Sequence, residues 1–341
     1  MARNQELHRL EQSSREALAR GEPIAAAEHH AEAASLWLQE GEPARAEFHL
    51  VQARELAVGA TAHRHVSRYA RALGRLWQDQ ARFDDAVRAY TEASARGRMA
   101  PSTDDALLAE VLHANMLAKA GRLPEALGLT NASIDYAVTQ DLPADLAALL
   151  ENRARHEMSL GAHQDALDTL AVAIKSAQVA EDAVKELRLA WSRHQLERGL
   201  GQLPTDDFDG LRRRQVELTG VDDVGWEMDL LQAALDLQSQ RPGPAAEGAR
   251  RARDGALGAM ELPTYLQACL LLADIEVSAG RRPAALMVLL AAHDNLRQLL
   301  GDEAAAPVRA MLERFRRQWG DAVFDTAFAE LRAHVEAQRP T

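Results

Sequence analysis

The stretch Gly121-Arg122-Leu123-Pro124-Glu125-Ala126 reads as the turn between two helices. Laid against the rest of the chain, its closing alanine returns at one phase: Ala46, Ala86, Ala126, Ala166, Asp206, Ala246 and Ala285. Five of these six intervals are 40 residues and one is 39. Self-similarity at a fixed period of roughly 20 to 50 residues is the signature of a solenoid, in which each unit packs on its neighbours and the core runs along the stack. The expected fold class is all-α, an α-solenoid superhelix of about seven helix-pair repeats with capping helices at both ends.

Helical spacing of apolar residues extends this frame in both directions. Leu7, Leu10, Ser14, Ala17 and Leu18 predict a first helix over 3–20, closed by Gly21-Glu22-Pro23. Pairs follow at 23–39 with 43–57, 62–80 with 83–97, 104–120 with 123–140 and 143–160 with 163–180. Further pairs are expected at 183–200 with 207–219, 223–240 with 245–260, and 263–280 with 283–300. Proline is tolerated in the first turn of a helix and not in its interior. Pro23, Pro143 and Pro263 accordingly mark first helices, and Pro124, Pro204, Pro244 and Pro283 mark second ones. Thr103-Asp104-Asp105 and Asp222-Asp223 place hydroxyl or acidic groups at helix starts, where free amides and the dipole favour them. The expected organisation is an N-terminal capping helix over 1–22, an array over 23–303 with irregular units near 201–260, and capping helices over 304–341. Within the last, Phe315, Trp319, Phe324, Phe328, Leu331 and Val335 form an apolar stripe, read as a cap or as the face of a homodimer.

Composition narrows the function classes. Apolar residues make up 47% of the 341 and aromatics only 4%, so the core must be built from Ala, Leu and Val. A net charge of −12 argues against wholesale binding to nucleic acid or anionic lipid. The one cysteine, Cys269, lies in an apolar run and reads as a buried structural thiol. The chain shows no signal peptide and no membrane span, so a cytoplasmic protein is expected.

The units resemble tetratricopeptide repeats over roughly residues 24–300. The mid-first-helix small position holds Ala34, Gly74, Ala114, Ala154, His194, Ala234 and Ala273. The turn position holds Gly41, Ala81, Gly121, Gly161, Gly201, Arg241 and Gly280, and the late small position of the second helix holds Ala53, Ala93, Ser133, Ala173 and Ala292. The period is longer than the family's usual one, as in the MalT-like and Rap-like bacterial regulatory groups. Trp37 and Trp77 end first helices in only two units. Asp206, Arg213 and Arg253 fall where small residues are expected, which implies a register shift or a joint in the fifth and sixth units.

No phosphate-binding glycine loop, HExxH, nucleophile elbow or cysteine pair is present, so no catalytic residue and no cofactor is expected, and the chain reads as a non-enzyme. His29, His30, His49, His63 and His65 cluster early but lack metal-ligand spacing, and are read as packing or solvated residues. The resemblance implies instead a groove lined by the first helices. Its groove positions fall on Arg68, Arg71 and Arg75, on Asn115 and Lys119, on Asn152 and Arg155, and on Arg188, Trp191, Gln195 and Arg198. Over five groove positions in each of these four units, seven residues are basic (Arg68, Arg71, Arg75, Lys119, Arg155, Arg188, Arg198) and two acidic (Asp79, Glu151), against 39 and 51 in the whole chain. Such a strip suits an acidic or extended segment of another protein, because guanidinium engages carboxylate in bidentate fashion. The other reading is a ligand- or peptide-responsive regulator whose curvature changes on binding. A second group, Arg212–Arg214 with Arg250, Arg251 and Arg253, is expected either to form a basic patch or to pair with Asp206, Asp207, Asp209 and Asp254.

Overall fold

The structure is a computed structural model that describes residues 2–100 and 104–337. Among the described residues it contains helices and turns and no strands. The chain divides after Thr205 into two compact units. Unit 1 holds α1 (Ala2–Ala19), α2 (Pro23–Gln39), α3 (Pro43–Gly59), α4 (His63–Asp79), α5 (Phe83–Arg98), α6 (Asp104–Lys119), α7 (Leu123–Thr139), α8 (Pro143–Ser159), α9 (His163–Val179) and α10 (Ala183–Gly199). Unit 2 holds α11 (Phe208–Glu217), α12 (Asp222–Gln238), α13 (Pro242–Gly258), α14 (Leu262–Ser278), α15 (Arg282–Leu300), α16 (Ala306–Trp319) and α17 (Asp321–Ala337).

In unit 1 the fundamental period is half of the sequence repeat. Left-handed residues stand at Gly21, Gly41, Thr61, Ala81, Gly121, Asp141, Gly161, Glu181 and Gly201, in steps of 20 with position 101 outside the described residues. Each closes its helix in the same way. At the opening turn, the Gly121 amide donates to the Ala118 carbonyl at 3.0 Å and the Arg122 amide to the Leu117 carbonyl at 2.8 Å. This pair of bonds satisfies two carbonyls that a helix end otherwise leaves bare. Helices of 17 residues and three-residue turns follow one another as a result. Thr61, Ala81, Asp141 and Glu181 adopt φ between 52° and 57° without being glycine, so the double bond pattern outweighs a local strain of about 1 kcal/mol.

Small residues then let neighbouring helices approach. Ala46, Ala86, Ala126 and Ala166 are completely buried, as are Ala53, Ala93 and Ala173, while Ser133 is nearly so. Among the glycines of unit 1 the approach is tightest at Gly74, where a Cβ would lie 2.7 Å from the Tyr90 ring. Trp37 and Trp77 lie where their pairs join, with Arg45 4.3 Å above the first ring and Arg82 5.2 Å above the second.

Unit 2 begins with a slip. Left-handed residues resume at Gly220, Gln240, Met260 and Gly280, one residue short of the earlier phase. The buried small residues move with them. Ala233, Ala245 and Ala252 take the places that the sequence phase assigned to Ala234, Ala246 and Arg253, and Gln240 replaces Arg241 in the turn. The single shorter interval therefore lies between Gly201 and Gly220, and not between Ala246 and Ala285. Arg253 is no exception to the small-residue rule, because the register is shifted by one. Pro204 does not start a helix either. It follows Leu203 in an irregular segment, whose Thr205 amide and hydroxyl donate to the Glu197 carboxylate at 2.8 and 2.5 Å. Proline disfavours helical backbone in the residue before it, and α11 begins only at Phe208. The expected cap at Thr103 lies outside the described residues. Asp222 and Asp223 do occupy the first turn of α12.

The C-terminal aromatics turn inward. Phe315 and Phe324 are buried, at 1% and 9% exposure, with Trp319 stacked 5.0 Å from Phe315 and Arg282 of α15 5.7 Å above Trp319. They pack against α15, while Trp319 and Phe328 stay partly exposed and the Val335 side chain lies outside the described residues. Cys269 is fully buried in the same core, and burial pushes its thiol up to about 11, which keeps it protonated.

Candidate functional site

Helices α2, α4 and α6 share a cleft of about 530 Å³ in unit 1. Its floor is α4. Residues 68, 72, 75 and 79 recur at alternating steps of four and three, which places Arg68, Ala72, Arg75 and Asp79 on one stripe, with Arg71 beside it. Ala31, Ala34, Ser35 and Leu38 of α2 form one wall, and Leu108 and Leu112 of α6 the other. Leu38 and Leu108 remain 46% and 50% exposed, so the cleft offers apolar surface as well as charge.

The cations are not equivalent. Arg68 lies 4.9 Å above the Tyr69 ring, donates to its hydroxyl at 2.8 Å and stands 3.6 Å from Glu28. Glu28 also stands 3.7 Å from His65, so one carboxylate of α2 ties down the start of α4. Arg71 is half-buried in the lining and makes interactions of its own. Arg75 and Asp79 are exposed, and among the described residues neither has an ion-pair partner. Cationic groups rimmed by apolar walls attract anions more strongly than cations on an open face, because the walls focus the field.

The structure thus gathers Arg68, Arg71 and Arg75 and leaves the other expected contacts outside the cleft. Asn115 and Lys119 continue along α6 beyond Leu112, half-buried and exposed respectively. Asn152 and Trp191 are not on the surface, at 2% and 3% exposure, which corrects their reading as groove contacts. Asn152 accepts from Arg155 at 3.0 Å, and Trp191 stacks on His194 with ring centres 5.4 Å apart. Arg155 and Lys185 both approach Glu151, at 3.5 and 2.8 Å, so the two cations share one carboxylate. Arg188 is half-buried, and Gln195 and Arg198 are exposed on α10. The apolar walls escaped the charge-based reading, although a signal existed. Leu108 follows Arg68 by 40 residues, an apolar side chain at a solvent-facing phase.

Two other sequence features resolve into structure. Arg212 and Arg251 converge on Asp229, which is 7% exposed, at 2.6 and 3.0 Å, and Arg212 also donates to the Gly225 carbonyl. This buried acid was not among the partners expected for the arginine trios. The expected Arg253–Asp254 pair is present at 2.7 Å. Of the early histidines, His30 and His49 face each other with Nδ1 atoms 2.9 Å apart, a separation that requires one ring to donate and the other to accept. Burial lowers both below the usual imidazole range. Among the described residues no three His, Cys, Asp or Glu side chains converge as a metal site, and no helix is long and apolar enough to cross a membrane.

Comparison with protein-family models finds no match, and none is found among curated sequences. Solved structures do match. Aspartyl phosphate phosphatase F from Bacillus subtilis aligns over 82% of this chain and 72% of its own, at a TM-score of 0.55 and 12% identity. The apo form of RapI aligns over 84% and 99%, at 0.56 and 9%. A signal-transduction ATPase with numerous domains from Pyrococcus horikoshii, which carries a tetratricopeptide repeat sensor, aligns over 92% of this chain at 0.54 and 10%, and this chain spans about half, 53%, of its length. The fold is that of tetratricopeptide-like helix-pair solenoids of the long-repeat, Rap-like variety.

Proposed function

We propose that the chain is a non-enzymatic interaction module that holds an extended, acidic segment of a partner protein in the cleft of α2, α4 and α6. The observation that carries this reading is the convergence of Arg68, Arg71 and Arg75 on a floor walled by Leu38, Leu108 and Leu112. A volume of about 530 Å³ is in the range of pre-formed ligand sites and suits a few residues of peptide rather than a folded surface. Carboxylates would engage the guanidinium groups and apolar side chains the walls, so neither an apolar segment nor a bare polyanion satisfies the whole site. Similarity to the phosphatase shows the fold alone, and no phosphatase activity is proposed for this chain. Cytoplasmic location remains part of the proposal.

Titration calorimetry with a synthetic peptide that alternates Leu and Glu tests this reading. Binding should weaken at least tenfold in Arg71→Glu/Arg75→Glu and with rising salt, and stay unchanged in Arg188→Glu/Arg198→Glu. Equal affinity for the first double variant and the unaltered chain would sink the cleft as the site. A second reading, a regulator that responds to its bound segment, draws on the repeat sensor named in the archaeal structure and on the irregular start of unit 2. Small-angle scattering with and without the peptide separates it from a static module.

A further inference from the structure

The cleft is electrically polar along its length. The basic groups occupy positions 68, 71 and 75 of α4, and the acid Asp79 stands at its C-terminal end, in the same lining. Neither Arg75 nor Asp79 is consumed by an ion pair among the described residues. Resting on the reading above, we propose that Asp79 receives an ammonium group of the bound segment, so that the cleft admits the segment in one direction only, amine at the Asp79 end and carboxylates toward Arg71.

The spacing supports this orientation. A helix rises about 1.5 Å per residue, so Asp79 lies about 6 Å along the axis from Arg75 and about 12 Å from Arg71. An extended chain rises about 3.3 Å per residue and turns alternate side chains to one face. With an amine on its first residue, its third and fifth side chains reach about 6.6 and 13 Å further on. Both then face α4, in register with Arg75 and Arg71. The second and fourth side chains both turn to the opposite face of the strand, away from the charged stripe. In the reverse direction, carboxylate would meet Asp79 and ammonium would meet arginine, a like-charge arrangement at both ends.

An ammonium comes either from a chain terminus or from a lysine side chain, and the test separates them. The probe is the pentapeptide Ala-Leu-Glu-Leu-Glu with an amidated C-terminus, titrated into the full chain by calorimetry. Three forms are compared: free N-terminus, acetylated N-terminus, and acetylated with Lys in place of the first Ala. The free form should bind at least tenfold more tightly than the acetylated one, and Asp79→Asn should abolish that difference. Recovery by the lysine form assigns the site to a side-chain ammonium, and failure to recover assigns it to a terminus; either outcome supports the proposal. Equal binding of free and acetylated forms, or a gap that persists in Asp79→Asn, overturns it while leaving the acidic cleft intact. Failure of every form to bind the unaltered chain overturns the cleft reading itself.

Discussion

Helices α9 and α11 leave equivalent turns and have different fates. The turn at Gly161 releases α9 two residues later, and it runs 17 residues with Ala166, Leu170, Ala173 and Ala177 buried along one face. The turn at Gly201 makes the same pair of closing bonds, yet α11 starts only at Phe208, lasts 10 residues and buries Leu211 alone. The turn therefore fixes how a helix ends and does not guarantee the next one. A helix of this length is marginal by itself, and it persists here only as far as a stripe of small and apolar residues docks it on a neighbour. Where that stripe fails, Glu197 holds the chain through Thr205 and one residue of phase is lost.

Substitution at matched phases puts this difference under the greatest strain. Ala173 has no exposed surface, so Ala173→Leu must push α9 away from its neighbours, at a cost of roughly 3 kcal/mol or more in urea unfolding. Arg213, 40 residues later and exposed on α11, should accept Leu within about 0.5 kcal/mol. Equal losses at the two positions would mean that α11 is docked as firmly as α9.

A smaller effect probes what replaces that docking in unit 2. Removing the buried carboxylate with Asp229→Ala leaves Arg212 and Arg251 facing each other. Their side chains are 32% and 58% exposed and can recover water, so the expected loss is about 2 kcal/mol and not the larger penalty of a sealed pair. Asp254→Ala, at a pair on the surface, should cost under about 1 kcal/mol.

Acid should weaken unit 1 through its histidine pair. His30 and His49 have folded pKa values lowered by burial, so the unfolded chain binds more protons, and stability falls as pH drops through and below about 6.5. Glu11 of α1 opposes this shift, while His29 adds to it at His30. His113 and His156 are lowered by burial too and give the same sign. Thermal melts between pH 7.5 and 5.5 should therefore slope less steeply in His30→Gln/His49→Gln than in the unaltered chain. An unchanged slope would show that the facing rings carry no linkage. A small gain is expected at the turns, where Ala81→Gly relieves a φ of 57° and should add at most about 1 kcal/mol.

Helix ends and pairing were legible in the sequence because glycine, proline and buried alanine recur with the packing they serve. The slip was not legible, for a specific reason. Ala233-Ala234 and Ala245-Ala246 are doublets, so either register presents alanine at the expected phase, and only burial distinguishes the two. Half of the period was hidden similarly, since Thr61 and Glu181 take the left-handed position with side chains that carry no turn signal. At the site, charge patterning found the arginines of α4 and missed the walls. Phase alone could not show that Asn152 and Trp191 are enclosed, because burial depends on what the neighbouring helices place over them.

The cleft is tested most directly by watching its walls. Leucine methyl groups labelled in the full chain and followed by NMR during titration with the Leu-Glu peptide should shift at Leu38, Leu76, Leu108 and Leu112, which line the cleft. Leu211 and Leu289, in unit 2, should stay in place. Shifts centred on unit 2 or on α10, with these four unmoved, would contradict the assignment of the site.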